Sequence, residues 1–258
     1  ALSLVTHTLV MRGFDRLEED HCRQDTERAG SMLEEQLRSL SATARDWATW
    51  DDTYRFVLDR NEDYVKANLN SQALAVVSCD AIAFFDNSGQ MTAARNFEPG
   101  APEERDVPPA LKKHLKVSSS LLRTPLSGIG TSGLLMTEEG VFLAASRPVL
   151  NSLGEGPARG MMVMINHLHP DELKRLDQLL NLSVRILPVD DKSLHPDGQA
   201  AALPATESVR VKVLQAGTIA GYKALRAPQG SPGALLEVRV PRTIHGEGRR
   251  TAWLFLAV

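Results

Sequence analysis

The sequence predicts an α+β fold in which a long N-terminal helix precedes an antiparallel sheet, with a smaller β-rich part after it. Three observations predict this. No proline occurs from Leu2 to Arg45, where only Gly13 and Gly30 interrupt good helix formers. Five apolar runs between Ala81 and Asn166 are joined mostly by tight turns, as neighbouring antiparallel strands are. A helical run from Pro170 and four further strand-like runs then lead to Pro241.

In the first helix Leu33, Leu37, Leu40, Ala44 and Trp47 step by four and three residues, the seam of an amphipathic or coiled-coil helix. Val10, Phe14 and Leu17 keep the same step. Between them "EEDHCRQDTER" is polar nearly all round and offers little surface for a core. About 45 helical residues would extend roughly 65 Å, so the expectation is a stalk over residues 1–60. A rod of that kind is stabilised by a second copy, which predicts a homodimer through the N-terminal helix.

Residues 61–170 read as a first subdomain. "DRNEDYVKANLNSQALAVVS" begins with Asn61 as an N-cap and is expected to form one short helix. "DAIAFFDNSGQMTAARNF" is a strand, a turn at Asp86 to Gly89 and a second strand. A proline-marked loop leads into a short helix at "PALKKHLKVS". "GLLMTEEGVFLAASRPVL" is a second hairpin turning at Glu138 to Gly140. The glycine-rich "NSLGEGPARG" separates it from "MMVMIN", an apolar run suited to a strand buried on both faces. The expected plan is a sheet with helices on one side.

Residues 171–242 follow as a smaller α+β part. "HPDELKRLDQLLN" is a helix with Pro170 at its start. "SVRILP", "VRVKVL", "AGYKAL" and "LLEVRVP" are four strands that either extend the first sheet or form a second one; the pattern leaves both open. Residues 243–258 form a C-terminal juxtamembrane segment. The chain opens on "ALSLVTHTLV" and closes on "RRTAWLFLAV", two apolar edges too short to cross a bilayer, with Trp253 where an interfacial aromatic would sit. They read as the flanks of membrane spans on either side.

Composition removes several classes of function. A net charge of -3 with scattered Lys and Arg argues against nucleic acid as a partner. Cys22 and Cys79 make no metal spacing and read as free thiols, with a disulfide in an oxidising compartment as the alternative. The glycines at 154, 156 and 160 lie between two strands and open no helix, so they are no dinucleotide fingerprint. His167 and His169 supply two metal nitrogens at most, and a strand running into a helix start explains them more simply. Asp51 and Asp52 are adjacent and point in different directions, unlike a carboxylate dyad. No GxSxG elbow or phosphate loop occurs. No catalytic residue, metal or cofactor is expected.

"DWATWDDTYRFV", "NEDYVKANL", "DAIAFFDNSG", "ASRPV", "GPARGMMVMI" and "PRTIHGEGRRT" together resemble the fourth class of CHASE domains. The resemblance extends from about Phe14 to Thr251; the Trp-Asp-Asp-Thr-Tyr core is its most specific part, and residues 170–242 match least specifically. It implies a PAS- or Cache-related extracytoplasmic sensor between two transmembrane helices of a histidine kinase, diguanylate cyclase or chemoreceptor. That places the domain in the periplasm and its receptor in the inner membrane, with a small molecule as partner. It implies no particular chemistry. The alternative from a different class is a membrane-anchored periplasmic hydrolase.

Two of the three tryptophans and one of the three tyrosines fall within residues 44–57. Trp47 continues the helical seam and is first of all a core residue. Trp50, Asp51, Asp52 and Tyr54 fall where the helix must end. Two aspartates flanked by aromatics suit an amine-bearing or cationic ligand, and they equally suit helix caps. The sheet side of such a pocket would come from Phe84 on the first hairpin and from Arg147, which suits an acidic group. The expected ligand-binding set is therefore Trp47, Trp50, Asp51, Asp52, Tyr54, Phe84 and Arg147.

Overall fold

Leu2–Ala48 form a single helix, α1, in a computed structural model that describes residues 2–97, 103–116, 121–122, 130–189, 191, 209–215, 217–244 and 246, without the side chains of residues 2–8 and Ala110. Three shorter helices follow: α2 (Asp51–Asp59), α3 (Glu62–Asn68) and α4 (Ser71–Val76). Arg60 ends α2 in the left-handed conformation at φ 55°. Asn61 caps α3 by accepting from the Asp63 amide, as its place in the sequence predicts. The single helix expected from Asn61 onward is two, because Asn70 starts a new one by accepting from the Ala73 amide.

Nine strands follow among the described residues: β1 (Ala81–Asp86), β2 (Met91–Asn96), β3 (Thr131–Thr137), β4 (Gly140–Pro148), β5 (Gly160–His167), β6 (Ser183–Leu187), β7 (Arg210–Gln215), β8 (Thr218–Arg226) and β9 (Pro232–Pro241). Two more helices, α5 (Pro109–His114) and α6 (Pro170–Leu180), lie between them. The strands form two sheets, ordered β2-β1-β5-β4-β3 and β6-β9-β8-β7. The last four strands thus make a sheet of their own. Correspondingly the chain divides into two compact units, one from Leu33–His169 with Arg226–Gly233, the other from the described parts of Ala1–Met32, Pro170–Leu225 and Ala234–Val258.

In the first unit β5 sits between β1 and β4, antiparallel to both. Its residues Gly160 to Ile165 are buried, which a central strand covered on both faces requires. One face packs Ala81, Ala83, Phe85, Phe142, Ala144, Val163 and Ile165 against Leu111 of α5 and against Leu115. On the other face Phe84 meets Phe56 edge-on at 5.1 Å, and Phe56 stacks on Tyr64 at 4.4 Å. Burial raises the Tyr64 phenol to about 12, and its hydroxyl shares a hydrogen bond with Thr53 at 2.7 Å. Helices therefore cover both faces, α5 on one and α2 with α3 on the other. The one-sided plan failed because a single-turn helix such as α5 carries too little pattern to assign a face. Leu33, Leu40, Ala44 and Trp47 of α1 are buried, so the chain itself covers that seam.

The polar stretch of α1 also packs, contrary to the stalk expectation. In the second unit Glu18, Cys22, Thr26 and Ala29 form a buried stripe. Small side chains are needed there because Gly221 of β8 comes so close that a β-carbon on it would lie 1.9 Å from Thr26 Oγ1. Arg242, just past β9, donates to both Asp15 and Glu18 at 2.6 Å. Glu237, buried in the same unit, accepts from Tyr222 at 3.2 Å, Arg185 at 3.1 Å and Arg239 at 3.0 Å. Beyond Arg242 only residues 243, 244 and 246 are described, so most of the expected juxtamembrane segment lies outside the described residues. Among the described residues no helix is long and apolar enough to cross a membrane. Cys22 and Cys79 are free and buried, and burial raises both thiols to about 12.

Gly221→Ala should overpack the contact with Thr26 and lower unfolding free energy by about 1–3 kcal/mol. Urea unfolding followed by circular dichroism checks this; an unchanged midpoint would show that α1 does not lie against β8.

Candidate functional site

The five-stranded sheet has a cavity of about 360 Å³ on its α5 face, within the range of small-ligand sites. The pairing Ala81↔Ile165 and Phe142↔His167 fixes which side chains reach it. Asp80 ends the loop before β1, His167 ends β5, and His169 lies just before α6. Their neighbours in the lining are Asn96, Arg105 and Asp106 on the polar side and Ala81, Leu111, Phe142 and Ile165 on the apolar side. The segment carrying Arg105 is fastened to β2: the Arg105 amide donates to Asn96 O at 2.8 Å, and Asn96 Nδ2 donates to Asp106 O at 3.0 Å.

Asp80 is the chemical centre of this cavity. Its carboxylate accepts from the His167 amide at 2.7 Å and lies 3.9 Å from His169 Nε2, too far for a hydrogen bond. No Lys or Arg among the described residues pairs with it. Burial raises its pKa above the ordinary carboxylate value, with the His167 amide and His169 opposing. His169 Nε2 is itself buried without a partner. His167 stacks on Phe142 at 4.7 Å and lies 4.1 Å from the His169 ring. Burial and then His169 depress its pKa, which favours neutral imidazole. No group of three His, Cys, Asp or Glu suited to a metal occurs among the described residues. The arrangement offers a carboxylate and, 3.9 Å away, an imidazole nitrogen, beside an apolar wall.

The seven residues singled out in the sequence lie elsewhere. Trp47 and Trp50 stack at 4.9 Å across the end of α1. Asp51 accepts from the Ser152 amide and hydroxyl, both at 3.0 Å, and these bonds hold its pKa below the ordinary value. Asp52 is exposed and pairs with Arg55 one turn on. The Tyr54 hydroxyl donates to Pro157 O at 3.1 Å, and the Arg159 guanidinium covers its ring at 3.7 Å. These contacts pin the glycine-rich segment 151–159 against α2. Phe84 is fully buried under Phe56, and Arg147 bonds Ser41 of α1. Phe84 and Arg147 both pair with Met162, so they share the face opposite the cavity. The cavity residues escaped the sequence reading because Asp80 and His167 are 87 positions apart. The one local signal was "HLHP", which as a metal motif lacked a third ligand.

This fold is that of the extracellular sensory domains of receptors. It matches the extracellular domain of the histidine kinase vpHK1S-Z8 at TM-score 0.59 and 11% identity, covering 93% of this chain and 95% of the other. It also matches the ligand-binding domain of the Campylobacter jejuni chemoreceptor Tlp3, solved with L-valine, at TM-score 0.55 and 9% identity over 92% and 98% of the two chains. The CHASE4 domain model matches residues 32–187, and the chain belongs to that family. A relative in sequence is the methanogenesis regulatory histidine kinase FilI of Methanothrix harundinacea (strain 6Ac), 28% identical over 254 residues. Those residues are 96% of this chain and 28% of FilI, so the chain spans just over a quarter of that relative.

The two aspartates predict opposite pH behaviour. A carboxyl whose folded pKa is raised stabilises the fold below its unfolded value near 3.8, and that stability is lost as pH rises through the folded value. Ionised Asp80 therefore costs stability at neutral pH, and Asp80→Asn, which keeps an acceptor for the His167 amide, should melt higher than wild type at pH 7. Asp51 is depressed, so it stabilises above 3.8 and loses that as pH falls through its lower folded value. Asp51→Asn should melt lower at pH 7. Melting curves from pH 3 to pH 8 check both signs, and both differences should shrink at the acid end.

Proposed function

We propose that this domain is the extracytoplasmic sensor of a transmembrane receptor and binds a small amine-bearing molecule in the cavity under Asp80. One observation carries the reading: a largely buried carboxylate without a Lys or Arg partner among the described residues faces a cavity, 3.9 Å from an imidazole nitrogen that makes no hydrogen bond. An ammonium group donates to the carboxylate and supplies it with a counter-charge. The apolar wall of Ala81, Leu111, Phe142 and Ile165 takes the ligand's hydrocarbon part. The L-valine held by Tlp3 makes α-amino acids the first compounds to try.

In the full-length protein this sensor sits between two membrane spans and drives a cytoplasmic output module, for which FilI suggests a histidine kinase. The receptor pairs through α1, where Leu9, Val10 and Leu17 stay exposed. Within the second unit the ion pairs of Arg242 with Asp15 and Glu18 tie the outgoing chain to the incoming helix, which suits them to carry a displacement of one to the other.

A thermal-shift screen of amino acids, polyamines and organic acids tests the ligand class. An amine should raise the melting temperature of wild type, and Asp80→Asn and His169→Gln should lose that shift while staying folded. Trp50→Ala and Asp52→Asn should keep it. A shift lost in the last two and kept in Asp80→Asn would move the site to the α1–α2 corner.

A further inference from the structure

Arg147 is a partly buried cation with no carboxylate partner among the described residues. It projects from β4 on the face opposite the cavity. Its Nη1 donates to the neighbouring Ser146 carbonyl at 3.0 Å and its Nη2 to the Ser41 hydroxyl of α1. Both acceptors are neutral, and its Nε is buried with no partner at all. Gly130, at φ +83°, lies so close that a β-carbon there would be 2.5 Å from Nη1 and 2.9 Å from Cδ, so only glycine leaves room for this pose. Among the described residues, the charge nearest to acting on it is positive. Arg45 stands one helical turn beyond Ser41, exposed, with no side-chain ion pair among the described residues. Burial and then Arg45 both push the Arg147 pKa down, and no carboxylate opposes them.

Buried charges are ordinarily paired, because desolvating one without a counter-charge is costly. Here a fold that pairs Arg28, Arg38, Arg55, Arg95, Arg185, Arg239 and Arg242 with carboxylates leaves two adjacent arginines unneutralised. We propose that Arg147, Arg45 and Ser41 form a second binding site, separate from the cavity, for a small oxyanion: the carboxylate or phosphate group of a free metabolite. A guanidinium offers planar paired donors that match such oxygens, and the Ser41 hydroxyl adds a third. An oxyanion there neutralises both cations and ties α1 to β4. Its charge preference is opposite to that of the cavity, so the two sites select different compounds.

Calorimetric titration of the 258-residue chain with inorganic phosphate, and separately with succinate, tests the site, with ionic strength held constant by chloride. Saturable binding of at least one of the two is expected in wild type and in Asp80→Asn. It should weaken about tenfold or more in Arg147→Gln and in Arg45→Gln, the loss of one charge-assisted contact. Arg45 is exposed, so its replacement leaves the fold intact and keeps the test decisive if Arg147→Gln folds poorly. Absence of saturable binding by either oxyanion, or equal affinity in wild type and Arg45→Gln, overturns the proposal. Preference for phosphate over succinate would assign the site to phosphorylated compounds, and the reverse to carboxylic acids.

Discussion

The pairing of β1 with β5 is the interaction on which the first unit depends. It runs from Ala81↔Ile165 to Asp86↔Gly160 and closes a loop of some eighty residues. Closing so long a loop is entropically unfavourable, though the cost grows only as the logarithm of its length. The offset comes from the apolar surface the central strand buries. Met161, Met162, Val163, Met164 and Ile165 are each 3% exposed or less, and a side chain of that size contributes roughly 1.5–3 kcal/mol when buried. The same register brings Asp80 to the His167 amide. A slip of one residue would exchange the two faces of β1 and remove both the cavity floor and the Phe84 cluster.

The two faces of this sheet are built to opposite electrostatic ends. On the α5 side a carboxylate is held in a place that disfavours its charge, and the nearby His169 Nε2 makes no hydrogen bond. On the α1 side a guanidinium is held in a place that disfavours its charge, with another arginine as neighbour. Other charges in the fold are satisfied by close partners. Asp51 is satisfied by Ser152, and buried Glu237 takes donors from Tyr222 and two arginines. Charge that is desolvated without a carboxylate–guanidinium pairing at these two places is the basis on which ligand binding is proposed for them.

In the second unit the organising constraint is close approach. Thr26 and Gly221 leave no room for larger side chains, which is why that part of α1 reads as polar although it packs. Thr26 satisfies its own hydroxyl by donating to Cys22 O at 2.7 Å, so a polar residue can be fully buried there without penalty. Glu18 is buried for a different reason. Its partner Arg242 is also largely buried, and removing either would leave the other uncompensated.

By itself the sequence determined what depends on neighbouring residues. The 3.6-residue period placed α1 and its seam, the turn chemistry at Asp86–Gly89 and Glu138–Gly140 placed both hairpins, and Asn61 placed a helix start. The Trp-Asp-Asp-Thr-Tyr core also carried the family. Tertiary structure alone decided that β5 lies between β1 and β4, that the last four strands form their own sheet, and that α5 covers the second face. It also decided which polar residues are satisfied. Asp51 suited either a ligand or a cap in the sequence and proves to be bonded to Ser152, 101 residues on, whereas Asp80 carried no local signal and proves to be a largely buried carboxylate without a Lys or Arg partner among the described residues. The physical reason is one of range. Helix period, caps and turns act over a few residues along the chain, while strand order and the neutralisation of buried charge are settled between residues that only the folded sheet brings together.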